Sequence, residues 1–158
     1  MKEDTYYIAK AEVDKKNIIT WNHELEQERK SAVFDLTNNC YFKLQKDITG
    51  PYLIKIRFED WKLYLFIKDY NDNVDYNKKY LVSSIRRIVR DYQIVCENYI
   101  EAIKTAPLKK IEAIDVGRRS IHDDGAETLK DILSPDVDLS IDTSRRLFTL
   151  ISILSAKI

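Results

Sequence analysis

Tyr52-Leu53-Ile54-Lys55-Ile56-Arg57-Phe58-Glu59-Asp60-Trp61-Lys62-Leu63-Tyr64-Leu65-Phe66-Ile67-Lys68 is the stretch whose reading decides the fold class. Tyr52, Ile54, Ile56 and Phe58 alternate with Leu53, Lys55, Arg57 and Glu59. Beyond a turn at Glu59-Asp60, Trp61, Leu63, Leu65 and Ile67 alternate with Lys62, Tyr64, Phe66 and Lys68. A period of two on both sides of a turn predicts a β-hairpin with one dry face. Tyr64 and Phe66 on the other face mark its second strand as central. The polar run from Tyr70 to Lys79 reads as an exposed loop, and Tyr80 to Ser83 as a last edge strand. Upstream, Tyr7, Ala9, Ala11 and Val13 alternate weakly, which predicts a strand over 6–13. Asn22 can cap a helix that carries Leu25, Ala32, Val33 and Leu36. Phe42 and Leu44 begin a second β block.

The second half is helical. Ser84 can cap a helix striped by Ile85, Ile88, Val89, Tyr92, Val95, Cys96, Tyr99, Ile100 and Ile103, at gaps of three and four throughout. Pro107 suits the first turn of another helix, carrying Leu108, Ile111, Ile114 and Ile121. Asp123-Asp124-Gly125 interrupts it, and Asp124 with Glu127 forms a variant capping box for a short helix to Leu133. Val137, Leu139 and Ile141 can add a short strand. Asp142 then caps a final helix that is apolar on almost every side. Such a helix is buried in the core or in a subunit interface. The small row Thr149, Ser152 and Ser155 lets another helix approach, so a homodimer through this helix is one alternative. The expected fold is α+β: an antiparallel sheet of about four to five strands covered by a C-terminal helical layer. We expect one domain over 1–158, β-rich over about 5–83 and helical over about 84–158.

Composition bounds the function. The chain has 158 residues, 26 Lys+Arg and 26 Asp+Glu. Zero net charge argues against a nucleic-acid or membrane-surface binder, whose affinity rests on excess positive charge. No apolar run approaches the length of a membrane span, and the opening residues lack the apolar segment of a signal peptide. Two cysteines, Cys40 and Cys96, are no disulfide framework, so a cytoplasmic location is expected. His23 and His122 lie far apart and show none of the paired spacings of a zinc site, so no metal is expected. No phosphate loop, nucleotide fingerprint or nucleophile elbow is present, and no cofactor is expected.

The informative polar residues are arginines. Six of nine occur as Arg86-Arg87, Arg118-Arg119 and Arg145-Arg146, all on expected helices and two pairs in a first turn. A helix N-terminus carries partial positive charge, so such pairs invite carboxylates or a bound anion. At 100° per residue, Glu112, Asp115, Arg119 and His122 fall within an arc of roughly 80° beside the apolar face. Arg118 falls inside that face and must meet a carboxylate or carbonyls. Gly117 in a helix interior costs about 1 kcal/mol against Ala and suggests close backbone contact or a kink. In one reading the stripe is a polar seam. In the other, Arg86, Arg87, Arg118, Arg119, His122, Arg145 and Arg146 recognise an anionic small molecule or an acidic partner surface. Catalysis by Glu112, Asp115 and His122 with the arginines, as in a small hydrolase or transferase, is the alternative. The balance leans against an enzyme and leaves the question open.

A set of ordered segments carries a resemblance. It comprises Thr105-Ala106-Pro107, Ile111-Glu112-Ala113-Ile114-Asp115 and Gly117-Arg118-Arg119 with His122 and Gly125. Arg86-Arg87 before Asp91-Tyr92, Arg145 to Ile151, His23-Glu24 with Glu28-Arg29, Asp35-Leu36 and Gly50-Pro51-Tyr52 agree with it. In this order and spacing they resemble Uncharacterised Protein Family 0262, a group of small bacterial proteins, over nearly the whole chain. The Asn-rich loop around Asp72 departs most. The resemblance implies a bacterial cytosolic protein of about this length. It transfers no activity, and it puts all three arginine pairs inside the segments that carry the likeness.

Overall fold

The computed structural model describes residues 5–71 and 74–156. Residues 1–4, 72–73 and 157–158, among them Asp72 and most of the opening segment read for a signal peptide, lie outside the described residues. The strands are β1 (Ile8–Val13), β2 (Phe42–Leu44), β3 (Tyr52–Glu59), β4 (Lys62–Asp69), β5 (Asp75–Leu81) and β6 (Val137–Leu139). The helices are α1 (His23–Asp35), α2 (Arg86–Thr105), α3 (Leu108–Leu133) and α4 (Ile141–Leu154). This is an α+β fold.

The hairpin is β3 against β4, with the buried pairs Ile54–Ile67, Ile56–Leu65 and Phe58–Leu63 in register. Its turn is Asp60-Trp61, one residue later than the sequence suggests, because Glu59 still pairs with Lys62. Both turn residues have positive φ, 51° and 56°, the twist that a two-residue hairpin loop requires. The main sheet runs β1-β3-β4-β5, so β4 is central as its second apolar face suggests. The all-antiparallel expectation needs one correction: β1 runs parallel to β3. The chain between them passes through α1 and β2, a crossover long enough to bring the strand back in the same sense.

The run expected as a loop over 70–79 is largely strand β5. Its outward residues Asp75, Asn77, Lys79 and Leu81 are exposed. Its inward hydroxyls are anchored at Asp136, with Tyr80 Oη at 3.0 Å and Tyr76 Oη at 3.3 Å. A polar edge strand of this kind loses the alternation that betrays a strand and blunts edge-to-edge pairing. β2 leaves the main sheet and pairs antiparallel with β6, Phe42 opposite Leu139 and Leu44 opposite Val137. The β-rich and helical halves are thereby interlocked.

Helix α2 begins at Arg86 after a 3₁₀ turn at Ser83–Ile85, and no side chain caps it, Ser84 included. Helix α3 is unbroken through Asp123-Asp124-Gly125. Gly125 is no stop signal. It is buried against Phe148, and a Cβ there would overlap the ring edge. Gly117 shows the reverse of the expected close contact, with nothing within 4 Å of a built Cβ. Helix α4 is capped by Ser140 rather than Asp142, its hydroxyl accepting from Thr143 N–H at 3.2 Å. Leu147, Phe148, Leu150, Ile151 and Leu154 of α4 are all buried within the one chain. The small row is filled by α2, where Gln93 Nε2 donates to the Ser152 carbonyl at 2.9 Å and to Ser155 Oγ at 3.2 Å. The core thus accounts for most apolar side chains of the helix, while Ile153 lines an open hollow with Leu25 and Ile100. Among the described residues no helix is long and apolar enough to cross a membrane.

Candidate functional site

Five polar residues of α3 recur at helical spacing: Asp115, Arg118, Arg119, His122 and Asp123. Because α3 continues past the Asp-Asp-Gly segment, they share one side of a continuous helix. That side faces Tyr92 of α2 and Arg145 and Thr149 of α4. Tyr92, Arg118, Arg119, His122, Asp123 and Arg145 line an open pocket of about 390 Å³.

Carboxylates hold the guanidinium groups in place. Arg118 Nε donates to Asp115 Oδ1 at 3.1 Å, and its Nη2 reaches the same oxygen. Arg119 Nη2 lies 3.2 Å from the other oxygen, Asp115 Oδ2. One carboxylate therefore serves two cations, and the Arg118 contact holds its pKa below the usual carboxylate range. Arg118 also lies over the Tyr99 ring at 4.5 Å, so the arginine expected on the apolar face is stacked and paired. Arg145 Nε donates to Asp123 Oδ1 at 2.9 Å and its Nη1 to Asp142 Oδ1 at 2.9 Å. Among the described residues, Arg119 Nε and Nη1 and Arg145 Nη2 remain as donors beyond these pairs, whereas Arg118 also bonds the Tyr92 hydroxyl.

His122 sits on an aromatic floor. Its ring centroid is 5.1 Å from Tyr92 and 5.3 Å from Phe148. Burial lowers its pKa; Arg145 and Arg118 act in the same sense, and Asp123 opposes them. The imidazole is therefore neutral at pH 7, which removes the repulsion that a charged pair at 118 and 122 would carry. Burial also pushes Tyr92 up to about 12 and raises Cys96, so neither is an ionised nucleophile at neutral pH.

The remaining expected site residues lie elsewhere. Glu112 is exposed and does not line the pocket. Arg86 and Arg87 line a separate hollow with Ser83, Ser84, Arg90 and Asp91, and Arg86 lies 5.8 Å from the Trp61 ring centroid. Arg146 turns the other way. Its Nη1 donates to the Asp35 carbonyl at 2.9 Å, to the Asn38 carbonyl and to Cys40 Sγ at 2.8 Å. It thereby closes the C-terminal carbonyls of α1. Two pocket residues, Tyr92 and Asp123, and the His122 partner Thr149 escape the sequence reading. Tyr92 is hidden in an apolar stripe, Asp123 reads as a helix break, and Thr149 as a packing residue. Asp123 adjoins His122 in sequence, the one local sign of its place. Among the described residues no three His, Cys, Asp or Glu side chains gather as metal ligands.

The chain matches the model of Uncharacterised protein family (UPF0262) over residues 5–157. A UPF0262 protein of Agrobacterium fabrum is 42% identical over 131 residues, 83% of this chain and 83% of that one. One of Paramagnetospirillum magneticum is 38% identical over 147 residues, 93% of this chain and 94% of that one. One of Maricaulis maris is 33% identical over 154 residues, 98% and 96%. No solved structure matches the chain. With a family model spanning all but the ends, and relatives matching at nearly full length, the chain belongs to the UPF0262 family of bacterial proteins.

Proposed function

We propose that the protein is a non-enzymatic binding module that takes a small anion in the pocket between α2, α3 and α4. The carrying observation is the lining: three guanidinium groups from two helices against the single carboxylate of Asp123. Unused N–H donors on guanidiniums already fixed by Asp115, Asp123 and Asp142 are preorganised for an oxyanion. A concave site of this size suits a small molecule better than the flat acidic surface of a partner. The hydrolase alternative finds less support. Glu112 stands outside the pocket, Asp115 is bound by two arginines, and Asp123 holds Arg145. Two unpaired cysteines suit a reducing compartment such as the cytoplasm.

Thermal melting against a panel of phosphorylated metabolites, nucleotides, di- and tricarboxylates and sulfate tests the reading, since a ligand of the folded state raises Tm. At least one anion should raise Tm. Arg119→Ala, at a side chain 68% exposed, should abolish that rise at an unchanged baseline. Arg118→Ala should lower the baseline as well. A Tm indifferent to every anion would overturn the proposal.

A further inference from the structure

The two nitrogens of His122 face different surroundings. Nε2 lies 2.7 Å from Thr149 Oγ1, and the same hydroxyl lies 3.1 Å from the Arg145 carbonyl. A hydroxyl has one proton. Both contacts are hydrogen bonds at once only if Thr149 donates to the carbonyl and accepts from Nε2–H. The Thr149 hydroxyl, by bonding one turn back along α4, therefore sets the His122 tautomer. Nδ1 is left as a lone-pair acceptor. It bonds no protein group among the described residues. No buried side-chain nitrogen or oxygen there lacks a partner, so Nδ1 is open to solvent, and His122 lines the pocket.

A neutral acceptor among cationic donors is an unusual lining for an anion site. Guanidiniums accept any oxyanion, whereas a lone pair repels an oxygen that brings no proton. We infer that the pocket selects an oxyanion carrying its own hydroxyl, namely phosphate or a phosphoryl group that retains a P–O–H, and rejects fully ionised oxyanions such as sulfate. The inference rests on the anion-binding reading and names its ligand class. The groups facing His122 are Tyr92 from α2, Arg118, Arg119 and Asp123 from α3, and Arg145 and Thr149 from α4. Of these, only Nδ1 and the Asp123 carboxylate offer lone pairs in the pocket without a proton to give, and Asp123 is already bound by Arg145.

Inorganic phosphate and sulfate make the matched probes. At about pH 7.5 both are chiefly dianions of similar size, and only phosphate keeps a hydroxyl, while His122 is neutral. Calorimetry should show phosphate binding at least about tenfold more tightly than sulfate. His122→Phe keeps a ring against Tyr92 and Phe148 and removes the acceptor. It should bring phosphate down to the sulfate level. Proton-detected nitrogen NMR of the wild-type protein should show the Nε2–H tautomer, a readout independent of any variant's folding. Equal binding of the two anions, an Nδ1–H tautomer, or a preference that survives in folded His122→Phe overturns the inference and leaves the anion site standing. Binding of neither anion, nor of any other, overturns both.

Discussion

Gly117 and Gly125 lie two turns apart on α3 and face opposite environments, the first open and the second pressed on Phe148. A helix-interior glycine costs about 1 kcal/mol relative to alanine. Gly117→Ala should recover up to about that amount, read as a rise in urea midpoint. Gly125→Ala has to displace a fully buried ring, and should cost about 2 kcal/mol or more by overpacking. Sequence alone treats the two as equivalent interruptions, because the difference lies in α4, which neither glycine reveals. His122 carries a pH signature. Its folded pKa is lowered, so below its ordinary value of 6.5 the unfolded chain binds the proton more readily. The stability it contributes is complete above that value. It falls as pH drops from there towards the folded pKa. Wild-type protein should lose more stability between about pH 7.5 and 5.5 than His122→Phe, both compared by urea titration. The shared side of Asp115, Arg119 and His122 was legible, since it needs only the helical angle, whereas the same angle put Glu112 with them and Arg118 on the apolar face. The destination of Arg146 was not: its acceptors lie over a hundred residues away in α1 and the turn after it.

Elements were legible where their period is local and their two faces differ. The β3–β4 hairpin and the stripe of α2 satisfy both conditions. β5 fails the second, since its inward face is built from Tyr76, Lys78 and Tyr80 closing on Asp136. The break read into α3 fails because Asp-Asp-Gly punctuates a chain only when nothing needs the glycine. The strong stripe of α2 also overstates its burial. Only Val89 and Ala102 of that helix are buried, while Ile100 and Ile103 of the stripe are more than half exposed. α2 and α3 thus form a long hairpin anchored at one end. Opening free energy follows buried contacts. Amides around residues 100–112 should exchange hydrogen through local opening, well ahead of those in α4, whose exchange should require global unfolding. Uniform protection along the hairpin would contradict this.

Across the whole molecule, one apolar cluster draws on every strand and helix. It joins Phe42 and Leu44 of β2 with Val137 and Leu139 of β6, the hairpin and α4. Truncating Leu139 to alanine should therefore cost about 2–4 kcal/mol. The fluorescence of the tryptophans and the far-ultraviolet circular dichroism should shift together in denaturant. Separate shifts of the two signals would show that the small sheet is an independent appendage. The α+β class was readable from the sequence because it depends on counting periodic segments. The partners of β1 and β2 were not, because each pairs with a segment far along the chain.

That last pairing has a consequence for biosynthesis. A ribosome releases β2 long before it polymerises β6, so Phe42 and Leu44 emerge without their partner strand. α4 follows later still. Nascent chains stalled before residue 137 present that uncovered apolar surface to the cell's chaperones and proteases. A premature stop between β2 and β6 should therefore be cleared as fully as one ahead of β2.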